Sequence, residues 1–387
     1  MESIISIDKQ YVAGTYGRFP VELVSGNGSI VTDVNGKNYI DMGSGIGVTC
    51  FGFADAQWTT AVTAQLNTLQ HTSNLYYTAP CAKLAQLLCN KTGMSKVFFS
   101  NSGAEANECA IKVARKYSAE KKGPEYNTII TLKNSFHGRT LTTLAATGQE
   151  HYHELFQPLT PGFVHVEANN VEELRSTVSQ VKAAGIMMEC VQGEGGVIAL
   201  TEEFVTAAAQ IAKEQDIPLI IDEVQTGNGR TGTLYAYMNY GICPDIVSTA
   251  KGLGGGLPIG ATLLSEKVQD VLKPGDHGST YGGNPVSCAG ALSIVERLDD
   301  AFLAEVKAKS DYIFSALAGA EGVESVSGMG LMVGIKTTKP AKDVVAACIE
   351  QGVLCLTAKD KVRLLPALNI PMDVLKTATQ VIKNACK

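Results

Sequence analysis

No stretch of the 387-residue chain approaches the ~18 consecutive apolar residues that a membrane-spanning helix requires. The apolar run 217–221, for instance, is closed by Asp222. Residues 1–10 carry two acids, Glu2 and Asp8, before the first base, Lys9, and are not read as a signal peptide. Basic residues are in the minority: 32 Lys and Arg stand against 38 Asp and Glu, a formal net charge of −6. Such a chain has no means of coating nucleic acid or an anionic membrane, and small molecules or copies of itself are the expected partners. The ten cysteines never come closer than seven residues, so there is no C-x-x-C pair for zinc or redox work. Reduced thiols packed as small apolar groups in a soluble, cytoplasmic protein are expected. Histidine is scarce, with six residues; the close pair His151 and His153 lacks further ligands, and no metal is expected.

Internal repeats and low-complexity tracts are also absent. What remains is an ordinary globular composition, 45% hydrophobic with 39 Gly and 13 Pro, in a chain long enough for two domains. Between about residues 94 and 264, short β-rich runs (97–99, 128–132, 186–191, 218–221 and 245–248) alternate with helical patterns. Ala106, Cys109, Ala110, Val113, Ala114 and Tyr117 mark one helix face, and Val171, Leu174, Val178 and Val181 another. Strands separated by helices predict an α/β fold with a mostly parallel sheet, whose ligands bind beyond the carboxyl ends of the strands. Asn27-Gly28 and Asn35-Gly36 predict turns of a small β meander near the start. After about Asp299 a helix, short strands near 331–335 and 353–356, and a terminal helix follow. The expected division is an N-terminal segment 1–50 joined with 299–387 in a smaller α+β domain, beside a large domain 51–298.

Three segments carry candidate chemistry. Ser102 and Glu105 fit an S-x-x-E capping box, which is either a well-made helix start or an anion site, with Gly103 allowing close approach to the backbone. Asp222 ends a buried strand, where an ionised acid needs a partner; it serves a surface turn or holds a protonated ring nitrogen. Lys251 follows the run 245–248 and precedes Gly252, Gly254, Gly255 and Gly256, which leave room for a ligand. A lysine so placed can form a Schiff base if its amine is held neutral. The segment 227–232 also matches G-x-G-x-x-G, with Asp245 further on, and points instead to a nucleotide-binding oxidoreductase. Gly241 and Pro244 interrupt the long helix that reading needs. Anion cradle, buried acid and lysine together are the equipment of a pyridoxal phosphate enzyme.

The segments 101–107 (NSGAEAN), 136–140 (FHGRT), 192–196 (QGEGG), 222–232, 251–256 and 277–280 (HGST), with 15–20 (TYGRFP) and 362–366 (VRLLP), resemble the class III aminotransferases over nearly the whole chain. The resemblance implies a fold type I, dimeric enzyme with pyridoxal 5′-phosphate shared across the subunit interface. It is greatest to the members that move the δ-amino group of N-acetylornithine to 2-oxoglutarate in arginine biosynthesis; ornithine, succinyl-diaminopimelate and 4-aminobutyrate are the alternative donors. By the same resemblance Lys251 bears the Schiff base and then moves the proton, and Asp222 pairs with the pyridine nitrogen. Gly103 and Ala104 bind the phosphate, Thr280 of the neighbouring subunit adds a hydroxyl, Phe136 stacks on the ring and Gln225 meets its phenolic oxygen, with Glu223 and Val224 alongside. Arg139, Ser279, Tyr16, Glu194 and Arg363 fall at substrate-binding positions, and Glu194 and Arg363 are able to pair. Three segments depart from the pattern: Glu189-Cys190 where Glu-Pro is usual, Asn228 where a larger apolar residue is frequent, and 51–55, which lacks Gly-His-x-His-Pro.

Overall fold

The apolar runs between residues 94 and 264 become strands of one seven-stranded sheet in the computed structural model, which describes residues 3–387. In chain order the strands are β1 (Lys96–Ser100), β2 (Thr128–Leu132), β3 (Phe163–Val166), β4 (Ala183–Met188), β5 (Leu219–Asp222), β6 (Ile246–Thr249) and β7 (Gly260–Leu264). Their spatial order is β1-β7-β6-β5-β4-β2-β3. All run parallel except β7, which is antiparallel to both β1 and β6. The expected α/β class with a mostly parallel sheet is what the chain adopts. Strands β4 to β7 are buried along their whole length, because helices cover both faces, and their apolar residues therefore run on without alternation.

Two local expectations need correction. The run 186–191 is not one strand: β4 stops at Met188, and Val191–Gln192 pairs instead with Ile198–Ala199 in a separate hairpin. Glu189 causes the break, since its carboxylate accepts from Phe136 N at 2.9 Å and Gly193 N at 3.3 Å and turns the chain over the sheet edge. Val181 lies just beyond the helix Val171–Gln180, in extended backbone leading into β4. The other marked helix, Gly103–Lys122, buries all six residues of its predicted face.

The meander is present as Leu23–Asn27, Ile30–Asp33 and Asn38–Asp41, turning at Gly28 (φ +56°) and Gly36 (φ +80°). Its fourth strand comes from the far end of the chain, where Val353 and Leu354 pair with Ile40 and Asp41. A second four-stranded sheet holds Val323–Met329, Met332–Thr337, Lys361–Leu364 and Leu356–Ala358 in that order. The helices Asp300–Leu317 and Met372–Cys386 lie in the same part of the chain. Among the described residues no helix is long and apolar enough to cross a membrane.

The register brings the functional segments together. Ser100 lies opposite Gly260, Thr249 opposite Ala261, Asp222 opposite Ser248, and Met188 opposite Ile221. The chain therefore leaves β1, β2, β4, β5 and β6 at one common edge.

Candidate active site

At that edge lies a cavity of about 440 Å³, lined by residues that include Ser102, Gly103, Phe136, Asp222, Val224 and Lys251. One wall is the start of the helix Gly103–Lys122. The Ser102 hydroxyl caps it by accepting from Glu105 N at 3.2 Å. Glu105 does not close the expected box on Ser102; its carboxylate reaches one residue further back, to Asn101 N and Asn101 Nδ2. The first backbone N–H groups of the helix, those of Gly103 and Ala104, thus face a cavity at the positive end of the helix dipole. Gly103 cannot carry a side chain: a Cβ would meet Val224 Cγ1 at 2.6 Å.

Asp222, at the carboxyl end of β5, is 3% exposed, and its charge is answered by three donors. Oδ2 accepts from Asn107 Nδ2 at 2.7 Å and from His137 Nδ1 at 2.8 Å, and Oδ1 from Val224 N at 3.0 Å. The other ring nitrogen of His137 is buried without a partner among the described residues. Lys251 follows β6 in left-handed backbone, φ +46°, with its amine inside the cavity. Burial holds its amine below the ordinary lysine value, although Glu194 and Asp222 favour the charge. No hydrogen bond or ion pair engages it among the described residues.

Glu189, distinguished in the sequence only by its neighbour Cys190, lines the cavity. Burial pushes its carboxyl up to about 7. Asn107 and His137, within the 101–107 and 136–140 motifs, join it at the site. The signal for them is position: each meets a buried acid at the carboxyl edge of a parallel sheet.

The remaining candidates separate into three groups. Phe136, Arg139, Val224 and Gln225 line the cavity. The Arg139 guanidinium is exposed and held over the rings of Tyr152, at 4.7 Å, and Phe136, at 5.6 Å. Glu194 and Arg363 adjoin the cavity behind Gln225: Arg363 Nη1 donates to Glu194 Oε1 at 2.5 Å and to Gln225 Oε1 at 3.1 Å, while Gln225 Nε2 donates to Glu194 at 3.3 Å. Burial opposes the charge on Glu194, but the guanidinium of Arg363 outweighs it and holds the carboxyl below its usual value. Ser279 stands at the margin, its hydroxyl accepting from Asn101 Nδ2 at 3.0 Å.

Glu223, Thr280 and Tyr16 do not join them. The Glu223 carboxylate is turned away, accepting from Tyr237 N at 2.9 Å and Thr226 Oγ1 at 2.5 Å, because successive residues leaving a strand point to opposite sides. Thr280 is exposed, and Tyr16 is 73% exposed in a separate groove with Arg18 and Phe19. The departures at 51–55 and 228 also lie off the cavity. Residues 51–55 line a different hollow with Trp58, and Asn228 is buried beneath the backbone that precedes Lys251. The His151 ring leans on Tyr152 at a 40° tilt and His153 bonds to Leu144 O at 2.8 Å, so the histidine pair is engaged separately. The G-x-G-x-x-G segment opens no long helix. It runs through turns, and Gly229 packs against Leu298, Leu303 and Leu368, which overturns the nucleotide-binding reading.

An anion-binding helix end, a hydrogen-bonded buried acid and an unpaired amine suit a phosphorylated carbonyl cofactor with a basic ring nitrogen, and the orphaned N–H groups and buried acid fit it. The family described as Aminotransferase class-III matches residues 11–386. An acetylornithine aminotransferase of Haemophilus ducreyi is 50% identical over 383 residues, 98% of this chain and 98% of that protein. Among solved structures, the ornithine aminotransferase of Toxoplasma gondii, with pyridoxal phosphate partially occupying its active site, is 30% identical with a TM-score of 0.94, covering 99% of this chain and 93% of that one. The N-acetylornithine aminotransferase of Stenotrophomonas maltophilia is 32% identical with a TM-score of 0.85, covering 99% and 98%.

Proposed function

The chain belongs to the class-III aminotransferases, which work with pyridoxal phosphate, and from that premise we propose that it transfers the δ-amino group of N-acetylornithine to 2-oxoglutarate. The observation that carries the reading is the convergence of Lys251, Asp222 and the helix start at Gly103 on one cavity, with Arg139 at its rim and Arg363 behind it. The 50% identity to an acetylornithine aminotransferase supports the choice of donor.

When bound, pyridoxal phosphate supplies a carbonyl that condenses with amines and a ring that draws electrons from the adjacent carbon. Gly103 N and Ala104 N would hold its phosphate and Asp222 its ring nitrogen. The acid is suited to the task because its three donors hold the carboxyl in place at the end of β5, facing where that nitrogen would lie. Phe136 and Val224 supply apolar walls and exclude water. Lys251 Nζ, disfavoured as a cation by burial, is the amine that would condense with the carbonyl, releasing water, and would later move the proton.

Two unlike substrates must use this one site. Glutamate brings a carboxylate close to the reacting carbon, whereas N-acetylornithine brings methylenes there. The Glu194–Arg363 pair presents a neutral surface when closed. When glutamate binds, Glu194 swings away, Arg363 takes the α-carboxylate and Arg139 the distal one. Arginine suits both places because its planar fork meets a carboxylate bidentately.

Two copies complete the enzyme. Thr280 and Tyr16 lie off the cavity of their own chain, and Leu75, Tyr76, Tyr77 and Tyr281 are exposed by 61% or more; a homodimer would cover them and would bring Thr280 to the neighbouring site. All ten cysteines are free thiols, in keeping with a cytoplasmic enzyme. The test of substrate is a donor panel with 2-oxoglutarate as acceptor, read as kcat/KM. N-acetylornithine is expected to lead; a higher value for ornithine, succinyl-diaminopimelate or 4-aminobutyrate overturns the assignment.

A further inference from the structure

The short turn that carries Lys251 is held at nearly every carbonyl. Ala250 O accepts from Leu253 N at 3.0 Å and Lys251 O from Gly254 N at 3.0 Å. Side chains distant in sequence hold others: the Cys50 thiol donates to Gly252 O at 3.0 Å and Trp58 Nε1 to Gly254 O at 3.0 Å. Asn228 is the side chain that reaches the peptide joining Ala250 to Lys251. Its Nδ2 donates to Ala250 O at 3.2 Å and to Thr249 Oγ1 at 2.9 Å. Both hydrogens of the amide are thereby used on the two residues before the lysine. Asn228 is 1% exposed, and its Oδ1 is buried without a partner, so burial of this amide is not explained by satisfaction of its own oxygen.

We infer that Asn228 is a positioning residue, which sets the direction of the Lys251 side chain by pinning the Ala250–Lys251 peptide plane. Lys251 has φ +46°, a conformation that an L-residue with a long side chain leaves unless its neighbours hold it. Rotation about its N–Cα bond is measured against that peptide plane; Asn228 holds the plane at Ala250 O, its own amide is steadied by Thr249 Oγ1, and the lysine side chain enters the cavity. Asn228 itself stands at φ +56°, which asparagine tolerates better than the larger apolar residues. A turn requirement alone would be met equally by glycine, and this separates the two roles.

The inference rests on Lys251 being the residue that bonds the cofactor. Sodium borohydride reduction of the holoenzyme, followed by peptide mass analysis, tests that premise: cofactor mass on another residue overturns both, and on Lys251 leaves the inference to stand alone. Asn228→Gly keeps the backbone conformation and removes both donors; Asn228→Leu keeps the volume and removes them also. The readout is the pH midpoint of the visible absorption band of each holoenzyme. The visible band of the holoenzyme follows protonation of the nitrogen that joins Lys251 to the cofactor, and a loosened peptide lets water reach that nitrogen and favour its charged form. Both variants are therefore expected to move the midpoint upward by about one pH unit and to lower kcat about tenfold or more with little change in KM. An unchanged midpoint in both variants overturns the proposal. So does failure of both to fold, which assigns Asn228 to the fold instead.

Discussion

Glu189 and Glu223 are both buried carboxyls pushed up to about 7, but only Glu189 faces the cavity. Between its ordinary value of 4.5 and about 7, the folded chain retains a proton on Glu189 that the unfolded chain releases. Its contribution to stability is therefore full below 4.5 and falls as pH rises toward 7. In urea melts between pH 5 and 7, Glu189→Gln should flatten that decline by about 1–3 kcal/mol relative to the unmodified chain; parallel slopes would show that burial of Glu189 is relieved by another route. Arg363 makes a different residue-scale prediction. A fixed ion pair with Glu194 would serve both half-reactions, whereas the proposed opening serves only glutamate. Arg363→Ala should slow the glutamate half-reaction by the equivalent of about 2–5 kcal/mol while largely sparing the N-acetylornithine one. Equal losses in single-turnover spectroscopy would falsify the switch.

At the scale of elements, the helix Gly103–Lys122 does two jobs with one end. Its buried face anchors it on β4, β6 and β7, and its capped start faces the cavity, with Lys121 and Lys122 complementing the dipole at the opposite end. The capping serine is worth about 1 kcal/mol to such a helix. The close approach of the helix to Val224 is the sharper constraint. Gly103→Ala places a methyl 2.6 Å from Val224 Cγ1, so helix and loop must separate. Pyridoxal phosphate affinity, measured by equilibrium dialysis, should fall about tenfold, the equivalent of ~1.4 kcal/mol, and Val224→Ala added to it should recover most of the loss by making room. Failure of the second substitution to recover affinity would mean that the methyl obstructs the ligand and not the loop.

For the whole molecule, the decisive connections run between distant parts of the chain. Arg230, 2% exposed, donates from Nη1 to Leu331 O at 3.1 Å and Pro366 O at 2.5 Å, and burial lowers its guanidinium to about 10. Leu365 N donates to Met42 O and Leu368 N to Cys50 O, both at 2.7 Å. These bonds lock the segment containing Arg363 between the N-terminal residues and the large sheet. The proposed dimer extends the same logic to a second copy. Lys251→Ala and Thr280→Val subunits, each impaired alone, should recover activity on mixing if one site draws Lys251 and Thr280 from different chains. Full subunit exchange without recovery would count against a shared site.

What the sequence by itself determined is local. Turn residues placed the meander at Gly28 and Gly36, the apolar spacing gave the buried face of Gly103–Lys122, and β-rich runs ended where Asp222 and Lys251 begin, since each follows from preferences of neighbouring residues. Tertiary structure alone decided the antiparallel insertion of β7, the end of β4 at Met188 and the turning away of Glu223. It also brought Asn107 to Asp222 across 115 residues, Arg363 to Glu194 across 169, and Asn228 to the peptide before Lys251. These contacts depend on sheet order and on which segments must share a buried space, and no local periodicity encodes either. Burial then gave the residues their chemistry: the same carboxyl is an ordinary acid in a short peptide and titrates near neutrality when the fold removes water from around it.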